Sequence, residues 1–156
     1  AMRERPRPAI AALCDAAGIE PRTLTARSLG FTLAPCVNAA GRLAHAGRAL
    51  ELMLAPDREA ADPIARELWE LNRERQDVER AITEEAIAQV EAEPEHIREA
   101  DAVVAAGDRW HEGVVGIVAS RLVERFARPA IVIARDGDRA KGSGRSLPGV
   151  DLHALV

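Results

Sequence analysis

The sequence predicts an α/β fold in its last third, preceded by a helical segment and a long connecting helix. Short stretches with helical apolar spacing precede residue 55, and a longer one runs from about residue 58 to residue 93. After residue 100, two short apolar runs flank another helical segment, a pattern that is typical of α/β domains. We therefore expect two small bodies joined by one extended helix.

The first helical segment is divided by glycine and proline. A short helix is predicted to end at Gly18, and Thr23 or Thr25 is positioned to cap a second short helix that ends near Gly30. Residues 31–35 are predicted to be extended, because proline disfavours the helical conformation in the residue before it. A further helix is predicted over residues 46–54.

The connecting helix is predicted to begin at Arg58 or Pro63 and to end before Pro94. Its apolar residues form a narrow stripe, which is surrounded by acidic and basic residues three or four positions apart. With roughly 30 helical residues, this helix would be about 45 Å long. Trp69 is interpreted as a packing residue, and we expect much of the helix to be exposed.

The last third combines strands, a helix and a hairpin. Its predicted elements are a strand at 102–107, a loop at 108–113, a helix at 114–127 and a strand at 130–134. Residues 136–138 carry a hairpin-turn signal, and a third extended stretch is predicted to begin at Ala140. Asp151 is positioned to cap a final helix that starts at Leu152.

Composition and charge restrict the class of protein. Hydrophobic residues make up 47% of the 156 residues, which is enough for a real core, and Cys14 and Cys36 match neither a disulfide framework nor a metal-binding spacing. No apolar stretch approaches the ~18 residues of a membrane span. Residues 1–48 carry seven arginines against three acids, residues 49–101 six against sixteen, and residues 102–156 eight basic residues against six acids. We expect a soluble cytoplasmic protein whose basic parts could bind nucleic acid.

A glycine-rich stretch, residues 141–146, has the chemistry of a phosphate-binding turn. Gly142 and Gly144 alternate with Ser143, while Arg145 offers a planar fork that suits phosphate. Consecutive N–H groups in such a turn would form an anion-binding nest. The alternative interpretation is a flexible polar turn without a ligand.

Two further stretches carry candidate binding residues. Asn38 and Arg42 are four residues apart, so a helical turn would place them on one face, and the small residues between them keep that turn narrow. The alternative is a helix start with a solvated arginine. His111 precedes the helix predicted at 114–127, where it either faces a ligand or makes a structural hydrogen bond.

Three motifs now stand in order: NAAGR at 38–42, WHEGVVGIVA at 110–119 and GSGRS at 142–146, with LNRERQ at 71–76 in the connecting helix. Together they closely resemble the single-strand-specific 5′→3′ exonucleases of the DHH/DHHA1 phosphoesterase superfamily, over nearly the whole chain. The resemblance implies that residues 1–56 are the C-terminal part of a DHH domain. It further implies that residues 57–95 are the connecting helix and that residues 96–156 begin a truncated α/β DHHA1 domain.

The resemblance also implies where the chemistry resides. Such enzymes hold Mn²⁺ or Mg²⁺ with Asp and His ligands whose motifs are absent from this sequence. The scattered histidines do not replace them; they are His45, His96, His111 and His153. We therefore expect no catalytic or metal-binding residue in this chain. The parent protein is expected to be a metal-dependent exonuclease of DNA repair and recombination, and this chain alone is expected to be inactive.

By the same resemblance, Arg42, Ser143 and Arg145 hold the 5′-terminal phosphate or the backbone beside it. The full set of predicted phosphate- and DNA-binding residues is Asn38, Arg42, His111, Lys141, Gly142, Ser143, Gly144, Arg145 and Ser146. The implied partner is single-stranded DNA with a 5′ end. A single-strand-binding protein or a helicase would assist the parent enzyme, whereas the chain itself is expected to be monomeric and to have no membrane partner.

Three other interpretations remain open. The first is an oligonucleotide or cyclic-dinucleotide phosphodiesterase of the same superfamily. The second is a non-catalytic module that binds single strands, although stacking aromatics are expected in such modules and only Trp110 is well placed for that role. The third is a structural α/β domain in which the glycine-rich stretch has no function.

Overall fold

The structure is a computed structural model that describes residues 4–92, 100–152 and 154. The chain divides into two compact units, Ala1–Gln76 and Asp77–Val156. The helix predicted to start at Leu152 lies largely outside the described residues, as do His96 and His153. No helix in the described ranges combines the length and the apolar character that crossing a membrane requires.

The first unit is helical. Its elements are α1 (Pro8–Ala16), a 3-10 turn (Pro21–Thr23), α2 (Ala26–Ser28), α3 (Ala34–Leu43), α4 (Gly47–Leu54) and the first part of α5 (Arg58–Glu91). Leu13, Leu52 and Leu68 fill the centre of its core, and both cysteines are buried there as free thiols. Burial raises the pKa of the Cys36 thiol to about 11, and its Sγ donates to the carbonyl of Thr32 over 3.2 Å.

The predicted extended stretch at residues 31–35 is wrong. Thr25 does cap α2, accepting the Ser28 N–H at 3.0 Å, but no helix ends near Gly30. A π-helical turn, Leu29–Leu33, leads directly into α3, and the Ala34 N–H bonds to the Leu29 carbonyl five residues back. Pro35 falls in the first turn of α3, where the missing N–H of proline costs little, so the helix continues through it.

Helix α5 is continuous over 34 residues, about 50 Å, which confirms the predicted long helix. It begins at Arg58 rather than at Pro63, because the Asp57 carboxylate accepts the Ala60 N–H at 2.9 Å and caps the first turn. One stripe of the helix is buried, and it consists of Ala61, Ala65, Leu68, Asn72, Glu79, Ile82, Ala86 and Val90. The buried residues of α5 therefore form a narrow stripe, as the spacing of apolar residues in the sequence predicts.

The second unit contains a three-stranded sheet and one covering helix, which confirms the α/β prediction. Its elements after α5 are β1 (Val103–Asp108), α6 (Val115–Phe126), β2 (Ala130–Asp136) and β3 (Arg139–Arg145). Strand β1 runs parallel to β2, and β3 runs antiparallel to β2, so that the order is β1-β2-β3. Gly137, with φ +56°, turns the hairpin between β2 and β3.

The two faces of this sheet differ. Ala130, Val132 and Ala134 are buried on the face that packs against α6, whereas Ile131 and Ile133 point to the other face and are partly exposed. At the outer edge of β1, the amide of Gln89 in α5 donates to the Ala106 carbonyl at 3.0 Å and accepts the Ala106 N–H at 3.2 Å. One side chain thus pairs with the backbone as a neighbouring strand would.

Candidate nucleic-acid interface

The glycine-rich stretch is a strand, so the predicted turn with a nest of N–H groups is wrong. Residues 141–145 belong to β3, and Ser143 pairs with Val132 of β2. In a strand, successive N–H groups point to opposite sides and cannot converge on one anion. The strand instead places Ser143 and Arg145, which are two residues apart, on the same face of the sheet, the face against which α6 packs.

Arg145, Ser143 and the start of α6 lie in direct contact. Nη1 of Arg145 donates to Ser143 Oγ at 3.1 Å and to the Gly144 carbonyl at 2.7 Å. A Cβ placed on Gly116, in the first turn of α6, would lie 2.9 Å from Arg145 Nη2 and 3.0 Å from Ser143 Oγ. Gly116 therefore lets the helix approach both polar side chains. Its role was not among the sequence predictions, although a glycine in the first turn of a helix is a detectable signal.

Gly142 and Gly144 lie on the opposite face of β3. A Cβ on Gly144 would lie 2.4 Å from Cδ2 of Leu152, and one on Gly142 would lie 3.4 Å from Cγ1 of Ile133. Neither glycine has a positive φ. The absence of a side chain at Gly144 is thus explained by the packing of Leu152, not by a strained turn.

Lys141 and His111 lie beside an open hollow at one end of the sheet. Lys141 Nζ is 3.2 Å from Glu112 Oε2, and both side chains are exposed. Nδ1 of His111 accepts the Gly113 N–H at 3.0 Å, so the neutral ring carries its proton on Nε2. His111 therefore makes the structural hydrogen bond considered above while keeping an Nε2–H donor.

Two further side chains have structural partners. Ser146 Oγ donates to the Val150 carbonyl at 2.9 Å, which commits its only proton to the turn that follows β3. Trp110 is only 7% exposed, and its ring lies over Gly107, where a Cβ would come within 2.1 Å of Cε2. Its Nε1 donates to Glu85 Oε2 at 2.8 Å. The expectation that Trp110 is placed to stack on bases is wrong, because the indole is part of the core.

Asn38 and Arg42 belong to the first unit. Both are exposed on α3, and Ala39 and Ala40 between them are fully buried. The predicted helical spacing of this pair is confirmed. An exposed amide and guanidinium one turn apart are suited to contact a phosphate and its neighbouring sugar.

The side chains at this interface do not fit a divalent metal ion. Mn²⁺ and Mg²⁺ prefer carboxylate, carbonyl and water oxygens as ligands, whereas Ser143 and Arg145 present a hydroxyl and a cation. The nearby Glu112 carboxylate is paired with Lys141. Across residues 4–92, 100–152 and 154, no three His, Cys, Asp or Glu side chains converge as metal ligands.

Comparisons with known proteins agree with this architecture. A family model described as the DHHA1 domain matches residues 99–156. The chain is 45% identical over 127 residues to the "Single-stranded-DNA-specific exonuclease RecJ" of Bacillus subtilis, covering 80% of this chain and 16% of that protein. It is 39% identical over 152 residues to the protein of the same name from Salmonella typhimurium, covering 94% of this chain and 26% of that protein.

Solved structures extend the likeness to three dimensions. A crystal structure of exonuclease RecJ bound to manganese matches with a TM-score of 0.78 at 35% identity, over 94% of this chain and 35% of that one. The crystal structure of RecJ from Thermus thermophilus in complex with Mg²⁺ matches with a TM-score of 0.76 at 32% identity, over 94% and 22% of the respective chains.

The fold and the sequence matches define a protein with a DHHA1 domain. More specifically, the chain is similar in sequence and in fold to one part of the RecJ exonucleases, which confirms the resemblance drawn from its motifs. It spans about a quarter or less of the length of these curated relatives.

Proposed function

We propose that this chain is the DNA-binding part of a single-stranded-DNA-specific 5′→3′ exonuclease and holds the 5′-terminal phosphate with Ser143 and Arg145. The single observation that carries the proposal is the cluster formed by these two side chains against Gly116 at the start of α6. The names of the relatives support the substrate class. The chain's own contribution is then to bind and orient the strand.

The proposed phosphate contacts follow from donor geometry. Nη1 of Arg145 is engaged by Ser143 and Gly144, which leaves the Nε–H and the Nη2–H groups as a two-point fork. The Ser143 hydroxyl accepts from Arg145 and so retains its own proton for a phosphate oxygen. The N-terminal end of α6, where the helix dipole is positive, adds positive potential beside Gly116. Together these donors favour a doubly charged terminal phosphate over an internal phosphodiester.

We propose the same division of domains that the sequence indicated. Residues 1–56 would complete a DHH domain, residues 57–95 would connect, and residues 96–156 would begin the DHHA1 domain. Asn38 and Arg42 would bind the phosphate backbone of single-stranded DNA. Metal-dependent hydrolysis, supplied by Mn²⁺ or Mg²⁺, would reside in parts of the relatives that this chain does not span.

The biological setting is also part of the proposal. An enzyme that removes nucleotides from 5′ ends of single strands would serve DNA repair and recombination in the cytoplasm. A single-strand-binding protein or a helicase would then supply or expose its substrate, and this chain would act as a monomer. The basic residues of β3 support such a DNA-processing role.

The test is a binding measurement on Arg145→Ala in the 156-residue chain. Fluorescence anisotropy with 5′-phosphorylated and 5′-hydroxyl oligonucleotides should show a ten- to hundredfold weaker affinity for the phosphorylated strand, since a charge-assisted hydrogen bond contributes roughly 1.5–3 kcal/mol. The preference for a 5′-phosphate should disappear. Arg135→Ala is the matched control, because it removes the same charge from the opposite face of the sheet. Unchanged affinity and unchanged 5′-phosphate preference in Arg145→Ala would contradict the proposal.

A second measurement tests the proposed division of labour. Purified chain is incubated with end-labelled single strands and Mn²⁺, and nucleotide release is followed over time. We expect strand binding without release. Metal-dependent release of 5′ nucleotides that persists through repurification would show that this chain carries hydrolytic chemistry of its own.

A further inference from the structure

Two side chains near the C-terminal end of α5 contact the end of β1 and the segment that follows it. Gln89 pairs with the backbone of Ala106, and Glu85 Oε2 accepts the Nε1–H of Trp110 at 2.8 Å. Residues 85 and 89 are one helical turn apart, so they lie on the same face of α5. This face therefore holds the start of the segment between β1 and α6, residues 109–114.

Trp110 is the buried residue of that segment. Its indole is only 7% exposed and lies over Gly107, which has no side chain to fill the same space. The indole carries one N–H donor and no acceptor, and Glu85 accepts that hydrogen bond. Leaving an enclosed N–H without an acceptor costs more free energy than an ordinary hydrogen bond contributes. The position of the Glu85 carboxylate therefore determines where the indole can lie.

The residues on both sides of Trp110 have constrained backbones. Arg109 has φ +63°, a conformation that arginine rarely adopts, and its N–H donates to the Arg135 carbonyl at 2.9 Å. On the other side, the His111 carbonyl accepts the Val114 N–H at 3.1 Å, directly before α6 begins. A strained conformation persists only where the surrounding structure holds it, and the buried indole is part of that structure.

The start of α6 in turn lies against the two side chains proposed to bind phosphate. Gly116, in the first turn of α6, is the residue whose added Cβ would meet both Arg145 Nη2 and Ser143 Oγ. Contacts therefore run without a break from Glu85 through Trp110 and the segment 109–114 to these side chains. A change in the position of the indole would move the helix start that lies against them.

We propose that Glu85 is a positioning residue for the terminal phosphate: its hydrogen bond to Trp110 holds the start of α6 where Ser143 and Arg145 can bind the ligand together. This inference rests on the proposed function of Ser143 and Arg145. Glu85 itself does not touch the phosphate, and its negative charge alone would oppose the binding of an anion. Loss of the hydrogen bond and loss of the charge therefore have opposite effects on affinity.

The experiment measures the affinity of the 156-residue chain for a 5′-phosphorylated thymidine octanucleotide by fluorescence anisotropy. Glu85→Ala should weaken binding about three- to tenfold, because the indole N–H loses its acceptor. Glu85→Gln should bind at least as tightly as the native chain, because its amide carbonyl still accepts the N–H while the charge is gone. The matched control is Glu84→Ala, which removes the same charge from the next position of α5, outside the face that carries Glu85. It should change the affinity less than twofold.

A second readout follows the hydrogen bond itself. The chain has two tryptophans, so the Nε1–H resonance of Trp110 is assigned by its absence in Trp110→Phe. Exchange of this proton with solvent should become at least tenfold faster in Glu85→Ala and stay at the native rate in Glu85→Gln. Trp110→Phe keeps an aromatic ring but lacks the N–H, so adding Glu85→Ala to it should weaken binding no further. Thermal melts check that each variant is folded.

Three results separate the positioning role from the phosphate site. Fast exchange of the Trp110 N–H in Glu85→Ala together with native affinity would overturn the inference, as would a Glu85→Gln variant as weak as Glu85→Ala. If Arg145→Ala still weakened binding in either case, the terminal-phosphate site would stand without help from α5. If Arg145→Ala left the affinity unchanged as well, the proposed function would fail with the inference.

Discussion

Gly116 and Arg145 approach so closely that a Cβ on the glycine would lie 2.9 Å from Nη2 of the arginine. One residue belongs to the first turn of α6 and the other to the last position of β3. The contact couples the helix start to the proposed phosphate fork. A single methyl group at this position therefore tests the geometry of the fork without removing any of its donors.

We expect Gly116→Ala to weaken binding of 5′-phosphorylated strands about tenfold while the fold stays intact. The added methyl meets the end of the flexible Arg145 side chain and, at 3.0 Å, the Ser143 Oγ. Alanine favours the helix by up to ~1 kcal/mol over glycine, which offsets the cost of these contacts, so stability should change little. Anisotropy titrations and thermal melts of the same preparations separate the two effects. If Gly116→Ala moved the Arg145 side chain and left the affinity for 5′-phosphorylated strands unchanged, the position of the guanidinium would not matter for binding.

The ion pair between Lys141 and Glu112 predicts opposite effects on strand affinity when each of its two residues is replaced. Lys141→Ala should cost less than threefold in strand affinity, because the ammonium is exposed and already shared with Glu112. Glu112→Gln should tighten binding two- to threefold, because it removes a carboxylate from the hollow and releases Lys141. Titrations at 50 mM and 200 mM salt are the measurement. A gain for Glu112→Gln that did not shrink at the higher salt would contradict an electrostatic cause.

The buried Cys36 thiol predicts how stability depends on alkaline pH. Burial raises its pKa from 9.0 to about 11, so in the folded state it keeps its proton over a range where the unfolded chain loses it. This contribution is complete below pH 9 and is lost as the pH rises to about 11, amounting to roughly 2–3 kcal/mol. Urea unfolding between pH 8 and pH 11 should show a steeper loss for the native chain than for Cys36→Ala. All other ionisable groups are common to both proteins and cancel in the comparison; parallel curves would exclude the effect.

The long elements were predictable from the sequence because their signals repeat over many residues. The apolar stripe of α5 recurs through nine turns, and the strands β1 and β2 are continuous apolar runs beside a helix. Periodicity of this kind reflects burial directly. The α/β character of the second unit followed from the order of these segments.

Elements that depend on distant partners were not predictable in the same way. Residues 31–35 stay helical because Leu33 and Cys36 on either side of Pro35 are both buried in the core, and no local signal reports that burial. Strand β3 contains no large apolar residue, and its conformation follows from pairing with β2. The extended stretch predicted from Ala140 is confirmed, but the same glycine-rich residues also indicated a turn, which the structure does not contain.

The candidate site, too, was predictable from the sequence only in part. The chemistry of Ser143 and Arg145 is visible in their side chains, but the contact with Gly116 depends on how α6 packs on the sheet. The positive φ of Arg109 has no counterpart in composition or spacing. The sequence suggests that Trp110 is available to bases, whereas the missing side chain of Gly107 provides the space that buries it.

The amide of Gln89 has a consequence for self-association. By pairing with both backbone groups of Ala106, it occupies the edge of β1 where another strand would have to dock. In the described part of the chain, the remaining edge of the sheet is that of β3. Growth of a fibril needs two open edges for each molecule, whereas one open edge allows two copies to meet and then stop. Gln89→Ala would leave both backbone groups of Ala106 open, and so return to the sheet the second edge that fibril growth needs.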